Sequence, residues 1–587
     1  MSFEIVKIVQ EHLEKNELLA ATELIKAQTS ESLHLVCSEL VNIAAEHLTR
    51  DNYAKNVEKY LACENLLRLI AAQAVKEDAL FELLEVLEGV DHDEKFTSVL
   101  KALQTVLLRM DHNKSQAIAW VLDSVVQYLE REIKMPDMLK GQVGAEMEKL
   151  IENDPTVERL LQLYLTIFLF LEPVQRCLLT QTHDATQIFF NQDFNSRNVM
   201  TTFLLKLMEG TFAHLNFDLG AKGFKSYSRQ RAENLMELLG KIYPNIFKLF
   251  EVMDDRHFVK NLPQKPSNKT DFKNIFYSEE RFTELSVAMA FYLTFVEKIF
   301  LPLPQIYRNE YKIDKGLLLV NHFLNTTFPQ LQKKGIALGL ELVNLASDSS
   351  LKDGDIDSDT RNAFFDLLTK VVVFSSDEQN RKNGMKLFDL YVSKHILTEK
   401  YKIIDHLFNT TSHSGLLSHT TMIYKGIVLQ LLNSGDLSNF SSAKFCNILK
   451  TYVCRLKDGE KTDLMESHEL LMTALNLLIF LMMRDKDNCT GIFNVIDELQ
   501  KSFLEPLEKA LQLSRAHYAN ETNLVEKGEE QKAEKMEIDI QNDAEDTQLE
   551  ITKEKKLEIL TYATNMFDIM SRLLARVQEC VDLKNKK

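Results

Sequence analysis

"SAKFCNILKTYVCRL", residues 442–456, decides how the rest of the chain is read. Phe445, Ile448, Leu449, Tyr452, Val453 and Leu456 recur at intervals of three and four, the spacing that lines up side chains on one face of an α-helix. Ser441 or Ser442 stands where a hydroxyl can accept the free amide hydrogens of the first turn. The stretch reads as a surface helix with one apolar face, and that face needs a neighbour to cover it.

Outward from this point the same period is nearly continuous. The closing segment places Leu557, Leu560, Thr564, Phe567, Ser571, Leu574 and Val581 on one side, near Leu573 and Val577. An exposed stripe of that length is costly in water, so it is expected to pack back onto the body. Polar loops separate the periodic segments: "GVDHDEK" (89–95), "RMDHNKS" (109–115), "ENDPT" (152–156), "SDSSLKDGDIDSDT" (347–360), "NTTSHSG" (409–415), "NSGDLSNFSS" (433–442) and "RDKDNCTG" (484–491). Helices joined this way pack as antiparallel neighbours.

The chain has 587 residues, too many for one compact core, with only 18 glycines and 10 prolines, a balance that favours helices and short loops. A faint repeat sharpens this. "KKGIALGLELVNLA" (333–346) and "RKNGMKLFDLYVSK" (381–394) each open with basic residues, then a glycine, then an apolar face. Gly335 and Gly384 lie one helix-pair period apart, near the ~40–47 residues of such repeats. The fold class is therefore all-α, a helical-repeat solenoid of stacked antiparallel helix pairs.

Two segments break the pattern. Residues 254–274, "DDRHFVKNLPQKPSNKTDFKN", read as a polar linker between an N-terminal helical-repeat domain (1–253) and a C-terminal one (275–519). Residues 520–550 carry a strong acidic excess and no aromatic residue, so they read as a disordered acidic insertion. The closing helix (551–587) then packs on the C-terminal domain.

The net charge of −17 gives no global reason to expect nucleic-acid binding. "MSFEIVKIVQEHLEK" at the start is an amphipathic helix without a cleavage site, and the most apolar run, "LLQLYLTIFLFLEPV" (160–174), is too short and interrupted to cross a bilayer. No membrane partner is expected. Seven cysteines without a C-x-x-C pair point to a reducing, cytoplasmic setting.

Candidate chemistry fails on spacing. "HLFNTTSHSGLLSH" (406–419) sets Ser412, His413 and Ser414 side by side, but a catalytic hydroxyl needs an imidazole that a third group orients. The plainer reading is a helix ending near Phe408 or Asn409, a turn, and a new helix carrying Leu416, Ile423, Ile427 and Leu431. "DGDIDSDTRNAF" imitates a calcium loop, yet Ser358 replaces the turn glycine and Phe364 the bidentate glutamate, so it reads as a loop in which Asp359 or Thr360 caps the next helix. "GAKGFKS" (220–226) lacks a phosphate-loop arrangement, and Lys222, Lys225, Arg229 and Arg231 read as a solvated helix start or a basic patch for an acidic partner. No catalytic residue, metal site or cofactor is assigned, and the expected activity is non-enzymatic.

The C-terminal third carries a resemblance. "LFNTTSHSGLLSH", "LMTALNLLIFLMMRDKDNCTGIF" and "FLEPLEKALQLSRAHYANE", in this order and followed by an acidic break and a final helix, resemble the glomulin family, also called FKBP-associated proteins. The resemblance covers residues 333–519 and the closing helix, and is thin over the first 250. It implies a HEAT-like fold whose C-terminal region grips the RING domain of the RING-box subunit of cullin-RING ubiquitin ligases. By covering the surface an E2 enzyme uses, such a protein lowers ubiquitin transfer without catalysis. It also implies a small FK506-binding prolyl isomerase as a partner of the N-terminal half. Carried onto this chain, the recognition role falls on Asn409, His413, Ser414, Met472, Asn476, Arg484, Asp485, Asn488, Arg515, His517 and Tyr518. The competing expectation is a general helical-repeat adaptor or scaffold that leaves E2 binding intact.

Overall fold

The computed structural model describes residues 2–136, 151, 153–181, 196–220, 223–250, 283–299, 306–352, 354–434, 441–527 and 553–585. The expected linker at 254–274 and residues 528–550 of the acidic insertion lie outside them. Among the described residues the chain is all-α, with short 3-10 and π turns and one isolated β-bridge between Leu351 and His395. It divides into two units: residues 1–345, 356–367 and 374–387 form the first, and residues 346–355, 368–373 and 388–587 the second.

In the first unit, helices α1 (Val57–Gln73), α2 (Lys76–Glu88), α3 (Asp93–Arg109) and α4 (Lys114–Glu132) show how the stack is built. Tyr60 meets Ser98, Glu64 accepts from Lys101, and Arg109 donates to the Ala71 carbonyl, so α1 and α3 run the same way. Between them the chain returns through α2. Phe81 touches Trp120 and the Glu88 carbonyl accepts from Arg131, so α2 and α4 also run in parallel. Two layers of like-directed helices result, each helix covering the apolar face of the next. Buried residues such as Leu67, Leu83, Leu103 and Leu122 fill the space between them.

Later in this unit α5 (Asn309–Leu324) and α6 (Pro329–Val343) form a close hairpin. A Cβ on Gly335 would lie 2.6 Å from the Phe323 Cβ, so the glycine that marks the sequence repeat permits the close approach of α5 and α6. The partner segment of that repeat, in helix Glu378–Lys394, is a stacked neighbour: Asn380 donates to the Pro329 carbonyl at 2.8 Å, and a Cβ on Gly339 would meet Leu387.

The second unit repeats the logic. Helices α7 (Leu397–Thr410), α8 (Ser414–Ser434), α9 (Ser442–Ile448), α10 (Leu464–Arg484), α11 (Ile492–Leu499), α12 (Glu505–Lys527) and α13 (Lys553–Asn585) share one apolar core. Ser414 and Ser418 of α8 bond to Glu466 and Thr473 of α10, and Arg484 at the end of α10 reaches Asn433 near the end of α8. α8 and α10 are therefore parallel. α9 runs against them: Ser441 accepts from Lys444 N at its start, and Tyr452, in the π turn Leu449–Val453 that extends it, donates to Asn409 at the end of α7. In both units a set of such inter-helix bonds joins residues 35 to 55 apart, close to the period of one helix pair.

α12 continues to Lys527 with Val525 buried, so residues 520–527, expected to open the acidic insertion, are helical. α13 packs on α10 and α12 as its stripe requires. Its buried line is Leu560, Ala563, Phe567, Met570, Leu574, Val577 and Val581, whereas Thr564 faces solvent. The 3.6-residue turn shifts the buried line by one position, and small Ala563 suits a close helix contact.

Two further sequence expectations change. The helix Ser358–Phe374 is capped by Asp357 and not by Asp359 or Thr360: the Asp357 carboxylate accepts from the amides of both and from the Thr360 hydroxyl. Within the basic run near 222–231, Arg229 and Arg231 are neither solvated nor available as a patch, whereas Lys225 is exposed. Arg229 is buried and paired with buried Glu297 at 2.6 Å, Arg231 is buried and donates to the Leu161 carbonyl, and Lys225 pairs with Glu233. Lys222 lies outside the described residues.

Candidate protein-binding surface

α10 holds the site together. Asp463 caps it by accepting from Met465 and Glu466 amides, and Leu470, Leu471, Ala474, Leu475, Leu477, Leu478 and Leu481 are buried along one side. By length and composition α10 is apolar enough to cross a membrane, but here those residues lie in the shared core of α8, α10 and α13. Its opposite side presents Glu469, Thr473, Asn476, Phe480 and Met483, again at intervals of three and four.

α8 completes a ridge beside this stripe. Met422 and Met483 are each more than half exposed, and the Lys425 ammonium lies 5.0 Å from the centre of the Phe480 ring. Arg484 is exposed at one end, near Asn433. Methionine, aromatic and arginine side chains on a rigid helix face are the composition of an interface centre, and the surrounding Asn and Thr supply a polar rim.

The eleven residues named from the sequence fall on four helices and on the turns before α8 and after α10. Ser414, Asn476, Arg484 and half-buried Met472 belong to α8 and α10. His413 precedes Ser414, and its Nδ1 accepts from the Leu416 amide, so the imidazole caps α8. The Ser414 hydroxyl donates to the Glu466 carbonyl at 2.7 Å. Each group thus has a helix-end task, and neither orients the other for nucleophilic chemistry. Asn409 sits at the end of α7, bonded to Tyr452.

At the far end of α10, about 27 Å away at ~1.5 Å per residue, Asp485 is 2% exposed. Its carboxylate accepts from the Cys489 amide and from the amide and hydroxyl of Thr490. It organises the loop after α10 and does not present an acid to solvent. Asn488, with φ +56°, donates to Asn494 and accepts from the Phe493 amide. Arg515, His517 and Tyr518 lie on α12. Arg515 pairs with Asp568 of α13, Tyr518 packs edge-on against Phe567 at 5.1 Å, and His517 is exposed. Burial, reinforced by Asp463, raises the Tyr518 phenol above its usual range.

Met422, Lys425 and Phe480 escaped the sequence reading. A usable signal existed: Met422 falls off the apolar line of Leu416, Ile423, Ile427 and Leu431, so a helix buried on that line must expose it. Among the described residues no three His, Cys, Asp or Glu side chains converge as metal ligands, and none of the seven cysteines is in a disulfide.

Comparison with known proteins adds kinship to this geometry. Residues 312–550 match the family described as uncharacterised, YAP/Alf4/glomulin. Glomulin of Mus musculus is 24% identical over 525 residues, covering 86% of this chain and 81% of its own length. Glomulin of Homo sapiens is 24% identical over 521 residues with the same coverage. A solved structure titled "Circular tandem repeat protein with novel repeat topology and enhanced subunit contact surfaces" aligns with all of this chain and 91% of its own at 10% identity, but its TM-score of 0.15 carries no argument. At this identity and coverage, the chain is a distant relative of the glomulins.

Proposed function

We propose that this protein is a non-catalytic regulator in the ubiquitin pathway that binds the RING domain of a RING-box subunit of cullin-RING ligases and masks its E2-binding surface. The distant relation to the glomulins, which runs through 86% of the chain, carries this reading. The α8/α10 ridge supports it as the docking face, because it offers exposed anchors on a scaffold whose opposite side is locked into a core. Inhibition then needs only occupancy. A partner held on this ridge excludes a competitor for the same RING surface, and no group of this chain takes part in bond making.

The test is competition. The purified full chain, titrated into a RING-box subunit with a bound E2, is expected to displace the E2 and to lower ubiquitin transfer at about one-to-one stoichiometry. Met483→Ala and Arg484→Ala are expected to weaken binding by about tenfold each, as anchors at an interface centre do. No binding at micromolar concentration defeats the proposal. Binding that leaves the E2 in place favours the adaptor reading instead.

A further inference from the structure

Burial sorts the seven cysteines into two groups. Cys37, Cys63, Cys446 and Cys454 are buried, and loss of solvent pushes all four thiols up, Cys37 and Cys454 to about 12 and Cys63 to about 11. Thiols held in that state are poor nucleophiles. Cys177, Cys489 and Cys580 are partly exposed. Of these three, Cys177 is the one whose sulfur is hydrogen-bonded to an amine among the described residues: the Lys114 ammonium lies 3.2 Å from its Sγ.

Lys114 opens α4 and is 8% exposed, yet no carboxylate among the described residues pairs with it. Asp111, three residues earlier, is bonded to Lys76 at 2.5 Å instead. A buried ammonium is ordinarily matched by an acid. Here it is matched by sulfur. Both members of the pair are held in place by their neighbours. Ser115 bonds to Ser196, hydroxyl to hydroxyl, at 2.8 Å and fixes the start of α4. Gln175 lies two residues before Cys177 in helix Pro155–Gln181, and it donates at 2.7 Å to the Leu238 carbonyl of helix Tyr227–Ile242, which fixes the turn that carries the thiol. Amine and sulfur are therefore brought together by the stacking of helices and not by a chance approach of two loose side chains.

We propose that Lys114 and Cys177 form a redox-sensitive cross-link, an S–N bond made after hydrogen peroxide oxidises the thiol. In the first step the Cys177 sulfur attacks one peroxide oxygen. The O–O bond breaks, an S–OH group forms and water leaves, so sulfur gives up two electrons and the peroxide takes them. In the second step Lys114 Nζ, having passed its extra proton to solvent, attacks the same sulfur. The S–N bond forms, the S–O bond breaks, and the hydroxyl departs as water with a proton from Nζ. No second oxidant is consumed. The 3.2 Å contact makes this step intramolecular, which favours Lys114 over any dissolved nucleophile. The bond ties α4 to helix Pro155–Gln181 across 63 residues of chain, and an added thiol reverses it.

Peptide mapping of the full chain tests this. The protein, reduced and then freed of reductant, is treated with about one equivalent of hydrogen peroxide, digested at glutamates and examined by mass spectrometry. The expected product is one linked pair of peptides, one holding Lys114 and the other Cys177, lighter than their sum by two hydrogens and separated again by dithiothreitol. Lys114→Arg keeps the cation and removes the amine, so the same oxidation is expected to stop at a sulfenic acid that dimedone labels on Cys177. Cys177→Ser is expected to give neither product. Because the cross-link closes a long loop, peroxide is expected to raise the melting midpoint read from Trp120 on α4 by about 5 °C in the parent and to leave both variants unshifted. Absence of the linked pair, Cys177 joined to another cysteine or another lysine, or the same mass loss in Lys114→Arg overturns the proposal. The first readout is made on the parent chain, so a variant that fails to fold does not shield it.

Discussion

The two units solve the same packing problem with different chemistry. In the first, charged side chains lie between helices: Arg159 grips Asp93 through two bonds of 2.7 and 2.8 Å, reaches Glu132 at 3.0 Å, and shares Asp93 with the Tyr128 hydroxyl. Arg229 and Glu297 form a second, more deeply buried knot. In the second unit one apolar core runs from Ile404 to Val581, and most of its polar groups sit at helix ends or on outer faces, as Asp485, His413 and Arg484 do. Buried ionic knots fix register but punish loss of one partner, whereas an apolar core leaves outer surfaces free to vary. That difference leaves the outer faces of the second unit less committed to holding its helices together.

The contrast can be broken most forcefully at Arg229. Arg229→Ala strands the buried Glu297 carboxylate and is expected to cost about 3–5 kcal/mol, whereas the double replacement Arg229→Met with Glu297→Leu recovers most of it. Trp120, the single tryptophan, lies in the first unit against Phe81, so denaturation followed by its fluorescence reads this loss directly. Leu478→Ala, in the second core, is expected to cost about 3 kcal/mol. Circular dichroism should register it while the tryptophan transition stays in place; a shared shift would mean that the two units unfold as one.

Next in size is a pH effect. His214 has a folded pKa of about 4, lowered by burial first and by Lys334 second, against an ordinary 6.5, so the unfolded chain binds the extra proton first as pH falls. Its contribution to stability is fully present above pH ~6.5 and declines by about 2 kcal/mol between pH 7 and pH 5. Tryptophan-monitored stability of His214→Phe should lack that part of the decline. Asp357→Ala removes a helix cap from the first unit and is expected to cost about 1 kcal/mol by urea denaturation. Smallest of all, Met483→Ala should change stability by less than about 0.5 kcal/mol because its side chain is exposed. A larger loss by thermal melting would place Met483 in the packing and remove it from the ridge.

Much of the architecture was legible because periodicity is a local property. Phe445, Ile448, Leu449, Val453 and Leu456 are all buried, as their spacing requires, and Ser441 is the cap. The turn at 411–413 also falls between two helices, where its hydroxyls suggest, although Ser414 and Gly415 already belong to α8. Burial of Arg229 and Arg231 was not legible. Their partners Glu297 and the Leu161 carbonyl are about 70 residues away along the chain, and nothing local distinguishes a cation that finds such a partner from one that meets water. The burial of Asp485 was illegible for a related reason: in sequence, a carboxylate that gathers the amides of its own loop looks like one that meets water.

The sequence by itself determined the all-α character, the places of several loops and the pairing of successive helices, because 3.6-residue spacing, caps and short loops act over a few residues. Only the tertiary structure decided which charges are consumed inside, which face of α8 and α10 remains outside, and that Lys114 and Cys177 meet. Those outcomes depend on side chains brought together from distant parts of the chain, and burial free energy is a property of that assembly and not of any one segment.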